Sequence, residues 1–180
     1  MDLSKYDNSY YYPGRGAFIR LVWYFVNVLF LINPFNPFSG LKVVLLRLFG
    51  AKIGRGVCIK PSVNIKYPWN LKVGDYTWIG EGVWIDNLVM IDIGSNVCIS
   101  QGAMLLCGNH NYKSETFDLI TQEIKLGESC WVGAQSVVCP GVTLHRGAVL
   151  GVMSVASSDL QANKIYRGNP AVFIRLRESK

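Results

Sequence analysis

The chain has 180 residues, half of them hydrophobic and 17% charged, which is one domain's length with material for a real core. A mean hydropathy of +0.23 excludes global disorder, which needs low hydrophobicity. The net charge of +6 is segregated, with ten Lys/Arg against two Asp/Glu in residues 1–72, three against nine in 73–159 and five against one in 160–180. The basic residues form no run and accompany no nucleic-acid motif, so this layout suits a phosphate-bearing small ligand or an anionic membrane surface better than nucleic acid.

In chain order, the first predicted element is the apolar stretch 17–32, AFIRLVWYFVNVLFLI. It is shorter than the about 20 apolar residues of a bilayer-spanning helix, carries Arg20 and Asn27, and stops at Asn33-Pro34. No small-residue cleavage site follows it, so a signal peptide is not expected. After the turn-rich NPFNPFSG comes an amphipathic segment, Leu41 to Phe49. Helical spacing there puts Leu41, Val44, Leu45 and Leu48 on one face, with Lys42 among the polar positions. The first 49 residues hold 12 of the 22 aromatics. Two readings stand: helices packed on the protein or a second subunit, or a peripheral membrane contact through residues 17–49. The first 50 residues form one segment.

From residue 51 the period changes. Aliphatic residues recur every six positions: Ile53, Ile59, Ile65; Val73, Ile79, Ile85; Ile93, Ile99, Leu105; then Leu126, Val132, Val138, Leu144, Leu150. Glycine follows many of them, and the position four further on is small or β-branched, as at Val63, Thr77, Ala103 and Ser136. A helix would show 3.6 and an exposed strand 2. A strict six fits a triangular parallel β-helix with 18 residues per coil, an all-β fold of about five coils over 51–161. Two steps of 20 each add two residues at a corner. A step of 33 from Ile93 to Leu126 extrudes a loop of about 15 residues near 108–124, and long loops in compact domains are usually functional. Residues 162–180 read as a basic tail.

The pattern resembles the left-handed β-helix of the hexapeptide-repeat acyltransferases. Four segments, LLRLFGAKIG (45–54), IKPSVNIKYPWNLKVGD (59–75), LLCGNH (105–110) and RGNPAVFIR (167–175), resemble in particular the sugar O-acetyltransferases of exopolysaccharide clusters. The resemblance implies acetyl-CoA as donor, a saccharide hydroxyl as acceptor, no metal requirement, and a homotrimer with sites between subunits. A cytoplasmic location reaching to the inner membrane face is expected from the unpaired cysteines and from the basic, aromatic N-terminal segment. An amino sugar, serine or a xenobiotic remains an alternative acceptor, and a non-catalytic scaffold an alternative role.

There are two histidines. His110 stands where the repeat breaks into the loop, and imidazole titrates near working pH, which suits a base for a neutral hydroxyl. Its spacing of 17 from Ile93 matches the family's catalytic histidine. His145 sits at a corner and reads as a surface residue. Two histidines cannot supply the three zinc ligands of the carbonic anhydrases that share this coil. Cys107, taken to point outward toward the loop, invites a nucleophile reading, although the resemblance implies direct transfer. The five cysteines have no paired spacing and read as free thiols. Asp86 and Asn87, one coil earlier, are the candidate acceptor contacts.

For the donor, the resemblance implies Trp131 along the pantetheine, the backbone N–H at Ala134 toward the thioester oxygen and Val152 beside the pantetheine arm. Ser157 and Ser158 match a Thr-Lys pair, so a phosphate-binding lysine is replaced. Arg167, Arg175 and Arg177 are candidate phosphate contacts, and Asn169-Pro170 matches a turn against the adenine.

Overall fold

The computed structural model describes residues 1–178. From Lys52 onward the chain winds a left-handed parallel β-helix with three flat faces. One face stacks Lys52–Ile53, Leu71–Val73, Ile91–Ile93, Ile124–Leu126 and Thr143–Leu144. The second begins Cys58–Ile59, Trp78–Ile79, Cys98–Ile99, Trp131–Val132, Val149–Leu150; the third runs from Asn64–Ile65 to Val155–Ala156. Five coils are complete. A sixth is opened by a parallel bridge from Leu144 to Leu160 and by Lys164–Arg167.

The registers reproduce the spacing of the sequence. Ile53 pairs with Val73 and Val73 with Ile93, while Leu126 pairs with both Ile93 and Leu144. The aliphatic column is therefore a ladder of stacked, fully buried side chains: Ile59, Ile79, Ile99, Val132 and Leu150 on the second face are at most 1% exposed. Where the small inward position is polar, its hydroxyl is satisfied at a corner. Thr77 donates to the Gly94 carbonyl at 2.8 Å, and Ser136 to that of Gly151 at 2.6 Å. The glycines after the aliphatic residues answer to stacking. A Cβ on Gly74 would lie 2.5 Å from the Ser95 nitrogen in the next coil.

Two helices close the open end of the prism: α1, Ala17–Val26, running on through a π turn at Asn27–Leu31, and α2, Ser39–Leu48. Trp23, 2% exposed, donates its indole N–H to the Ile65 carbonyl at 2.9 Å and packs against Phe49. On α2 the buried face differs from the amphipathic expectation. Lys42, Val43 and Leu46 point into the coil, while Leu41, Val44 and Leu48 are exposed. Lys42 is wholly buried and its ammonium donates to the carbonyl of Lys60 at 2.8 Å. The first coil has no coil beneath it, so its end-facing carbonyls need donors, and lysine supplies one on an apolar stem. Burial pulls the Lys42 pKa below that of an ordinary lysine.

The C-terminal segment is a strand pair rather than a loose tail. Lys164–Arg167 extends the second face, Val172–Leu176 folds back antiparallel to it, and Arg177 donates to the carbonyls of Ser129 and Gly147. Residues 179–180 lie outside the described residues.

Candidate active site

The three departures from the 18-residue period all fall at the same corner, on successive coils. They are the turns at 66–70 and 86–90 and the excursion at 108–121. Stacked there, they wall a cavity of about 580 Å³, whose lining includes Lys66, Asp86, Gly108 and His110. The N-terminal segment closes the other side with Tyr6, Asn8, Ser9 and Tyr11. It is tied down by hydrogen bonds from the Tyr10 hydroxyl to Leu119 O, the Tyr11 hydroxyl to Leu88 O and the Asp2 amide to Glu115 O.

His110 ends the strand Gly108–His110, which pairs antiparallel with Leu119–Thr121. Its Nδ1 lies 2.9 Å from the carbonyl oxygen of Phe117, and the two rings stack at 4.3 Å. A carbonyl can only accept, so Nδ1 carries the proton and Nε2 presents a lone pair. Phe117 has φ of +51°, a left-handed conformation uncommon outside glycine, and this turn aims its carbonyl at the imidazole. The turn is knitted by Asn111 N to Asp118 O and by Thr116 Oγ1 to Asp118. The site thus holds a histidine in one tautomer, on a built hairpin, at the wall of a cavity.

Asp86 lines the same cavity and pairs with Lys66, Oδ1 to Nζ at 2.9 Å. Asn87, expected beside it as an acceptor contact, lies outside the cavity and is fully buried. Its amide donates to the carbonyls of Tyr67 and Asn70 and accepts from the Tyr67 amide, so it braces the corner turn below. Cys107 corrects a second expectation: it points inward, not outward. It is wholly buried, its thiol donates to Val89 O at 3.8 Å, and burial pushes its pKa up to about 12. Such a thiol is a poor nucleophile near neutrality. His145 is exposed, as its corner position implies. Among the described residues no group of three His, Cys, Asp or Glu is placed to hold a metal ion.

The residues expected for the donor line no part of this cavity. Trp131 stands exposed on the second face, its indole N–H donating to Ser100 Oγ at 2.9 Å. Ala134 follows at the corner into the third face, and its N–H has no hydrogen-bond partner among the described residues. Val152 is exposed at that corner one coil on. Ser157 and Ser158 are exposed after Val155–Ala156, at the corner that carries the cavity lower down. Arg167 and Arg175 are exposed on the terminal strand pair, and Pro170 follows Asn169 through a cis bond between those strands. Arg177 is engaged with coil carbonyls instead. The acceptor-side and donor-side sets are thus not assembled within one chain.

Sequence reasoning missed Lys66, Tyr67, Arg20, Tyr6 and Tyr11 as cavity walls. The two-residue phase slips pointed to the corners that hold Lys66 and Tyr67. Residues 6–13 have no period, and their place follows only from tertiary contacts.

No family model matches the chain. It is 41% identical, over 177 residues covering 98% of this chain and 97% of the relative, to the protein named colanic acid biosynthesis acetyltransferase WcaF in Escherichia coli. A galactoside O-acetyltransferase of the same organism is 26% identical over 134 residues, 73% of this chain and 66% of the relative. Among solved structures, a hexapeptide-repeat acetyltransferase of Vibrio cholerae superposes with a TM-score of 0.81, covering 89% of this chain and 92% of that one, at 21% identity. A galactoside acetyltransferase in complex with coenzyme A superposes with a TM-score of 0.79 over 89% of this chain and 81% of its own, at 23% identity. Full-length likeness to WcaF, carried on a hexapeptide coil of the same architecture, makes this chain a member of the hexapeptide-repeat acetyltransferases, in the family of WcaF.

Proposed function

We propose that the chain moves the acetyl group of acetyl-CoA onto a saccharide hydroxyl in exopolysaccharide or cell-surface glycan synthesis, as a homotrimer with sites between subunits. The observation that carries the chemistry is the bond between His110 Nδ1 and the Phe117 carbonyl, which leaves Nε2 free to act as base. Nε2 takes the proton of the acceptor hydroxyl as its oxygen bonds to the thioester carbonyl carbon. The unpartnered N–H at Ala134, from a neighbouring copy, meets the oxyanion. Collapse breaks the C–S bond, and the imidazolium returns its proton to the leaving thiolate. Trp131 and Val152 would flank the pantetheine, Ser157 and Ser158 its far end, and Arg167, Arg175 and the Asn169-Pro170 turn the nucleotide. Asp86 would hold an acceptor hydroxyl. The separation of the two residue sets within one chain supports an inter-subunit site.

The test is release of free CoA thiol from acetyl-CoA with a panel of saccharides, amino sugars and serine. A His110→Ala variant should lose at least about 100-fold in turnover while still binding acetyl-CoA. Full transfer by that variant overturns the assignment, and absence of acetyl-CoA binding in calorimetry returns the scaffold reading.

No helix among the described residues is long and apolar enough to cross a membrane. A peripheral contact at an inner membrane face is supported instead by the outward sides of α1, α2 and the turn that joins them. Phe18, Phe25, Phe35, Phe38 and Leu48 are each more than half exposed, in the stretch 1–72 that holds ten Lys and Arg against two Asp and Glu. Aromatic and cationic side chains together suit an anionic bilayer surface. The protein should sediment with phosphatidylglycerol vesicles at low salt and be released at high salt. Absence of sedimentation at low salt refutes the contact.

A further inference from the structure

The cavity at His110 does not end at its own wall. Arg20, Lys66 and Tyr67 line it and also line a second cleft of about 330 Å³, which runs along α1 past Tyr24, Asn27 and Val28. Both volumes lie within the usual range of ligand sites, about 300–1,000 Å³. Two cations therefore stand at the junction, and their charges are unequally engaged. Lys66 is paired with Asp86. Arg20 makes no ion pair or side-chain hydrogen bond among the described residues, and its Nε is buried without a partner. The other buried side-chain polar atom without a partner is Asn27 Oδ1. Asn27 is 6% exposed and holds Asn64 Oδ1 through its own amide N–H at 2.8 Å. Arg20 and Asn27 are seven residues apart, two turns along one face of α1 and its continuation. Buried polar atoms without partners are few in folded proteins, and here both belong to residues of the second cleft, Arg20 where it joins the first and Asn27 further along α1.

We propose that this junction is a second saccharide subsite, and that the acceptor is an oligosaccharide carrying a negatively charged group at Arg20. The proposal rests on the acetyl-transfer reading above and names its substrate class. The Asp86 charge is matched by Lys66, so the cavity presents Arg20 as its unmatched charge, which is where a carboxylate or phosphate of the acceptor binds. Tyr67 and Tyr24 give the cleft an aromatic lining against which the C–H surface of a sugar ring packs, and Asn27 supplies an acceptor for a hydroxyl. One sugar lies at His110 and the next lies along α1.

The test is binding of defined probes by calorimetry with CoA present: lactose, galacturonic acid, digalacturonic acid and galactose 6-phosphate. The charged probes should bind more tightly than lactose, and digalacturonic acid more tightly than galacturonic acid. A uronate or a sugar phosphate as the better probe tells which anion is used, and either supports the subsite. Arg20→Gln should erase the preference for charge, about tenfold, and Arg20→Lys should keep most of it. Val28→Trp, which fills the second cleft, should weaken digalacturonic acid and leave galacturonic acid unchanged. Equal binding of charged and neutral probes, or a preference that survives Arg20→Gln, overturns the proposal. Acetyl-CoA binding and thiol release are read separately, so failure of the transfer reading appears there and not in the probe series.

Discussion

Two residues show how far local spacing reaches. Cys107 lies two positions after the inward Leu105, and a strand returns each second side chain to the same face. Alternation therefore buries Cys107, against the expectation that its coil position, two after Leu105, points the thiol outward toward the loop. Asn87 likewise sits beside a true cavity residue, Asp86, yet turns under the corner to brace Tyr67 and Asn70. Cys107→Ala should therefore leave acetyl transfer unchanged. It should also alter the pH dependence of stability. An unfolded thiol with pKa near 9 ionises before the folded one at about 12, so over that window the folded state holds the extra proton. Stability from this group is complete below pH 9 and falls as pH rises toward 12. Thermal melts between pH 9 and 11 should fall less steeply for the variant. An unchanged slope counts against the buried thiol, and a loss of activity returns Cys107 to the chemistry.

At the scale of elements, α2 is where hydrophobic periodicity misleads. Leu41, Val44 and Leu48 form a good apolar stripe, yet the coil takes the adjoining face with Lys42, Val43 and Leu46. The end of a β-helix is not an ordinary apolar surface, because its terminal coil, here the first, exposes backbone carbonyls together with aliphatic side chains. Lys42 meets both needs, and Ser39 accepts from the Ile59 amide at 2.8 Å beside it. Lys42→Ala should cost about 2–4 kcal/mol in urea unfolding, from lost packing and unpaired carbonyls. An effect below about 0.5 kcal/mol, the usual size for a surface change, would mean that the lysine is not the plug. The same geometry explains why the apolar stripe remains outside, free for the membrane contact proposed above. The coil itself was legible almost to the residue, since its glycines and aliphatic ladder repeat one local requirement.

At the scale of the whole molecule, the breaks in that ladder proved more informative than the ladder. Steps of 20, 20 and 33 instead of 18 all add chain at one corner, and that corner is the cavity. The N-terminal strap over it was not legible, because a segment without period is placed only by contacts such as Tyr11 to Leu88. The proposed donor set rests on resemblance alone, and the fold puts Trp131 and Ala134 outside the cavity that His110 lines within one chain. In the proposed assembly, a closed ring of three copies of the 20.1 kDa chain would join each His110 to a neighbour's Ala134. Light scattering should therefore return three chain masses. A stronger consequence concerns hybrids. His110→Ala and Ala134→Pro, which removes the N–H, should each be inactive alone. If every site takes its base from one subunit and its oxyanion donor from the next, random mixing in equal amounts leaves about one quarter of the interfaces with both groups intact. Co-expressed hybrids should recover activity on that order. If each chain held a complete site, every site would carry one defect or the other, and mixing would recover nothing.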